Sequence, residues 1–175
     1  MSGECGVDQA VLSPLVGRWE GTLRHRAAPD QPFEEFPGRS ENRWVLGGRF
    51  VEMTLKGGLS GDGPSALFYI GHERDERRYV LVSLEPGNRQ VTIRQGEWWP
   101  DPGCLILISH AQPGGGQANS MRVVCDCRTA GELKLELREQ PASGEEYLRF
   151  RAEYRTAEVA RVPPVPRPLR RRVIA

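Results

Sequence analysis

Lysine is nearly missing from this chain. Among 24 basic side chains only Lys56 and Lys134 are lysines; the others are arginines. Charge of one sign is not in excess either, because 23 acidic residues leave a formal net charge of +1. The whole-chain balance therefore offers no case for nucleic acid as a partner, which would call for a basic surface. Arginines spread along the sequence read as compositional bias, since a planar anion site would gather them. Long apolar runs are absent too. No window approaches the roughly 18 apolar residues of a membrane span, and "MSGECGVDQAVLSPL" lacks the basic-then-apolar order of a secretory signal. The expectation is a cytoplasmic protein with no membrane partner. Four cysteines, Cys5, Cys104, Cys125 and Cys127, do not make the disulfide framework of a small secreted domain. Histidine occurs only as His25, His72 and His110, in no His-x-His or other ligand spacing, so no metal site is expected.

What is present is alternation. The chain has 175 residues, 38% of them hydrophobic, enough for one globular domain with a real core. Period-2 patterning, broken by Gly, Pro, Asn and Asp every 10 to 15 residues or so, predicts an all-β sandwich or barrel. Ten candidate strands fall at 16–26, 39–47, 49–57, 65–73, 78–86, 90–99, 104–112, 119–128, 132–140 and 146–155. "PGNRQ", "DPG", "PGGGQ" and "TAGE" are turn chemistry between them. Only "DQAVLSPL", ahead of Pro14, suggests a helical turn or two. Without helical crossovers, sequence neighbours should pair as antiparallel hairpins, and closing ten of them into a barrel removes the exposed edges. Gly47 and Gly48 can take the positive φ of a two-residue hairpin turn between Leu46 and Arg49.

Four stretches carry a resemblance: "PLVGRWEGTLRHR", "RWVLGGRFVEM", "YIGHERDERRYV" and "YLRFRAEYR". Over about residues 12 to 156 the chain resembles a bacterial family of unknown function in the calycin, or lipocalin-like, superfamily, whose members are ten-stranded up-and-down barrels related to nitrobindin. The resemblance implies an interior pocket and a floor closed around Trp19. It also raises haem, which nitrobindins carry on a histidine from the terminal part of the barrel. "YLRFRAEYR" contains no histidine, so no cofactor is expected.

Alternation also says which residues should face inward. Trp19, Gly21, Leu23 and His25 share one face of the first strand, and Trp44 with Leu46, Val51 with Met53 and Leu55, and Leu133 with Leu135 and Leu137 follow the same logic. The last strand offers Leu148, Phe150, Ala152 and Tyr154. The fourth to sixth strands are apolar on both faces. In "ALFYIGH" either Leu67 and Tyr69 or Phe68, Ile70 and His72 could point inward. Strand acids such as Glu52 are expected on the solvated face, loosely paired with arginines. Cys125 and Cys127 should share a face and be buried as small hydrophobes, an oxidant-responsive thiol pair being the alternative.

The resulting expectation is a barrel that binds a small hydrophobic molecule through Trp44, Tyr69, Tyr154, Met53 and Phe150, with His25 as the polar contact at the mouth. The alternative is a cofactor-independent cyclase or isomerase using the same pocket, with His25 and a nearby Glu or Tyr as acid and base. Residues 1–14 read as a lead-in, 15–157 as the barrel, and 158–175, "VPPVPRPLRRRVIA" included, as a Pro/Arg-rich tail of extended or disordered composition, either free or in contact with the barrel wall or the second subunit of a homodimer.

Overall fold

Alternation carries from the sequence into the barrel wall. In the computed structural model the described residues are 7–57, 64–85, 91–101, 103–109 and 120–157. Ten strands among them close into one barrel: β1 (Gly17–His25), β2 (Glu34–Val45), β3 (Phe50–Gly57), β4 (Pro64–Glu73), β5 (Arg78–Leu84), β6 (Thr92–Trp99), β7 (Cys104–Ser109), β8 (Ser120–Asp126), β9 (Glu132–Gln140) and β10 (Tyr147–Thr156). Each pairs antiparallel with its sequence neighbours, and β1 pairs with β10 from Trp19↔Thr156 to His25↔Phe150 to close the ring. Trp19 and Leu23 on β1, Val51, Met53 and Leu55 on β3, and Leu133 and Leu135 on β9 are buried. Their strand neighbours Arg18, Glu20 and Lys56 are exposed.

The largest differences from the sequence reading are at the two ends of β2. β2 begins at Glu34, not at 39, and runs through Pro37. The last β2–β3 pair is Gly38↔Gly57, so among the described residues Pro37 lies where β2 has only β1 beside it. A proline's missing N–H is tolerated there as at a sheet edge. The turn after β2 is also longer than two residues. Val45 and Phe50 are the last pair, and Leu46, Gly47 and Gly48 between them have φ of 51°, 69° and 82°. Three successive left-handed residues need glycine at most positions, and Leu46 alone carries the steric cost, with its side chain exposed.

One end of the barrel is plugged. The helix α1 (Val7–Leu12) and the 3₁₀ turn Ser13–Leu15 that follows it bury Leu12 and Leu15 against the core. The Leu15 carbonyl accepts hydrogen bonds from Trp19 Nε1 (3.0 Å) and Asn42 Nδ2 (2.7 Å), and Ser40 Oγ donates to Asn42 Oδ1 (2.6 Å). Buried Asn42 and Ser40 are thus satisfied, and the lead-in is tied to two strands at once. Gly21 belongs to the same end. A Cβ there would lie 1.9 Å from the Glu153 carbonyl oxygen, so only glycine lets β1 approach β10 this closely. Among the described residues no helix is long and apolar enough to cross a membrane.

The arginines lie mainly on the outer wall. Arg24 meets Glu35 at 2.8 Å, Arg43 meets Glu52 at 2.7 Å, and Arg138 and Arg151 share Glu136 at 2.9 and 2.7 Å. Such partly exposed ion pairs contribute about 0 to 1 kcal/mol each, so stability rests on the interior. Trp19→Ala should accordingly destabilise the protein by about 3 to 5 kcal/mol, the cost of removing a buried large aromatic. Chemical denaturation of the two proteins measures this, and an unchanged midpoint would show that the plug does not depend on Trp19.

The barrel interior as candidate binding site

Beyond the plug the strands enclose a cavity of about 410 Å³. Its walls are apolar: Met53 and Leu55 from β3, Phe68 from β4, Leu81 from β5, Val123 from β8 and Phe150 from β10. Alternation explains why. Each strand contributes every second residue, and β3, β8 and β9 hold apolar side chains at those positions on the cavity side. Polar groups are few. His25, Glu85, Thr92 and Arg149 line the same cavity from the ends of their strands opposite the plug, Ser83 and Arg94 lie among them on β5 and β6, and Glu136 borders it from β9. A void of this size, mainly apolar with a handful of polar groups, has the form of a small-molecule site.

Residues 5–156 match the family described as "Protein of unknown function (DUF1579)". The chain belongs to this family. A solved structure, that of Rv2717c from M. tuberculosis, is similar in fold, with a TM-score of 0.58 and 18% sequence identity over 85% of this chain and 96% of that one. No curated protein matches the chain.

In this DUF1579 barrel, His25, Met53 and Phe150 are brought together on the cavity lining. Trp44, Tyr69 and Tyr154 are not. The register of β4 turns Phe68 and Ile70 inward, which sends Tyr69 to the outer wall. There its hydroxyl donates to Glu52 Oε2 at 2.9 Å, and that hydrogen bond to a carboxylate holds the phenol's pKa above its ordinary value. Tyr154 is buried at the plugged end, opposite Gly21 and Leu133, where burial pushes its phenol upward. Trp44 packs half-buried against the same core.

Of the polar lining residues that sequence reasoning missed, Ser83 and Arg94 are the most deeply buried. β5 and β6 carry apolar residues on both faces, so alternation alone could not say that Arg94 shares a face with Trp98 while Ile93 and Trp99 lie exposed. The signal that could have found it is the set Thr92, Arg94, Gly96 and Trp98, whose opposite set contains Glu97. Arg94 is only 3% exposed. Its Nη1 donates to Ser83 Oγ at 2.7 Å, its Nη2 has a 3.8 Å contact with the Met121 thioether, and its Nε has no hydrogen-bond partner. Arg149, the other arginine of the lining, is paired: its Nη1 donates to the buried Glu139 carboxylate at 2.7 Å, as does the Tyr147 hydroxyl at 2.9 Å. His110 and Cys5 lie outside the described residues.

Among the described residues no group of three or more His, Cys, Asp and Glu side chains is arranged to hold a metal ion. The thiols are shielded. Cys125 is fully buried, with its pKa held well above the ordinary thiol value by burial, and burial with the nearby Asp126 charge pushes Cys127 up to about 11. Cys104 is raised in the same way. Because the thiolate is the nucleophile, a raised pKa leaves these groups protonated and slow at pH 8. Iodoacetamide at that pH should leave Cys104, Cys125 and Cys127 unmodified in the folded protein and alkylate them in denaturant, as read by peptide mass spectrometry; rapid labelling of Cys127 in the folded protein would contradict its shielding.

Proposed function

We propose that this protein binds a small, mainly apolar molecule inside the barrel, as a carrier or sensor. The observation that carries the reading is the cavity itself: about 410 Å³ walled by aliphatic and aromatic side chains, in a barrel whose other end is filled by Trp19, Leu12 and Leu15. A fully packed interior would have no such volume, since protein cores leave few voids larger than a water molecule. Met53 and Phe150 are the apolar contacts and His25 the polar contact at the mouth. The ten-stranded order, with every strand beside its sequence neighbours, supports placing the family in the calycin superfamily. We extend the reading to a cytoplasmic setting and to a functional unit spanning residues 15–157.

Ala66 lies in the cavity wall and is small. Nile red should bind the wild-type protein saturably, with enhanced emission, and Ala66→Phe should abolish that binding while retaining a cooperative melt, because the added ring occupies the void. Absence of saturable binding in the wild type, or unchanged binding in Ala66→Phe, would overturn the interior site. Native mass spectrometry of the purified protein would add the mass of any retained ligand and the number of subunits.

A further inference from the structure

The geometry points to Arg94 as an internal carboxylate-binding residue, so that the ligand of this cavity is an apolar molecule ending in a carboxylate. This rests on the interior-site reading above and specifies its ligand. A guanidinium is costly to bury, and buried charges are ordinarily paired. Three other arginines whose polar contacts reach into the barrel wall follow that rule: Arg149 is neutralised by Glu139, and Arg138 and Arg151 by Glu136. Arg94 is the exception. It is more buried than any of them, yet among the described residues its hydrogen-bond partners are a hydroxyl and a thioether, both neutral.

Which edge of the guanidinium is left over matters. The bond to Ser83 occupies Nη1, leaving Nε without a partner and Nη2 with only the weak Met121 contact. Nε and Nη2 form the side-on fork that matches the two oxygens of a carboxylate. The same chain uses that fork elsewhere: Arg128 holds Asp126 through Nε, at 2.9 Å, and Nη2. Met121 also lines the cavity and is flexible, so its thioether can yield the Nη2 position to an entering oxygen. Ser83 holds the guanidinium in place from the other side. Burial lowers the pKa of Arg94, and the charge of Glu85 acts in the opposite sense. Glu85 is exposed and makes no ion pair with it, so it influences Arg94 through space without filling the fork.

The apolar walls then supply the hydrophobic part of the site, and a ligand carboxylate supplies the missing counter-charge. A neutral ligand of the same shape would leave the cation uncompensated.

Decanoate and decanol, which share a chain and differ in charge, test this by calorimetric titration into the full-length protein. The wild type should bind decanoate about tenfold to a hundredfold more tightly than decanol, the range expected for hydrogen bonds to a charged group. Arg94→Met should erase that preference by weakening decanoate, with a melting curve to verify the fold. Arg94→Lys, which keeps a cation but loses the Nε–Nη2 fork, should reduce the decanoate preference, and it decides the matter if Arg94→Met does not fold. Equal binding of acid and alcohol by the wild type, or a preference that survives in Arg94→Met, would overturn the assignment while leaving the interior site standing. Failure of both ligands and of Nile red to bind would remove the interior site itself.

Discussion

Closure of the sheet by β1 and β10 is the contact on which everything else in this molecule depends. Without the pairing from Trp19↔Thr156 to His25↔Phe150 there would be two open edges and no inside. With it, every strand has one face turned to a shared interior, and the alternation of ten separate segments becomes one core. The closure has a local requirement at Gly21, where the Glu153 carbonyl leaves no room for a side chain. It also sets the site, because the last strand carries Tyr154 to the plugged end and Phe150 to the cavity.

The two ends of the barrel are made differently by the same alternation. At one end Trp19, Tyr154, Tyr79 and Leu133 are large enough to meet across the interior, and Leu12 and Leu15 seal it from below. Farther along the strands the inward positions hold shorter or more flexible side chains, Met53, Leu55, Ala66 and Val123, and they do not fill the space between walls. A cavity follows from that difference in side-chain volume, with no change in backbone architecture.

Charge is divided as sharply as volume. The outer wall carries acid–arginine pairs such as Arg24 with Glu35 and Arg43 with Glu52, which contribute modestly because solvent screens them. Inside, a charge has no such screening, so an arginine retained there without an acid costs stability. Arg94 is retained in that way. Its burial without a paired acid is the observation on which the proposed ligand carboxylate rests.

The class of the fold is written in the order of the amino acids. Period-2 runs separated by Gly, Pro and Asp demand antiparallel strands, and β1, β3, β9 and β10 are apolar on one face only, so their inward sets, including His25, Met53 and Phe150, are legible from the pattern alone. The rest depends on how the strands meet in three dimensions. In β4, β5 and β6 both faces are apolar, with Leu84, Ile93 and Trp99 left exposed, so pattern could not choose between Tyr69 and Phe68 or place Arg94. Cross-strand register makes that choice: Met53 pairs with Phe68 and Leu81 with Arg94, and once β3 turns Met53 inward each following strand inherits its phase from the one before. Trp44 and Tyr154 show a second limit. Alternation says that a residue faces inward, but not at which height of the barrel it sits, and height depends on the stagger of strands around the closed sheet.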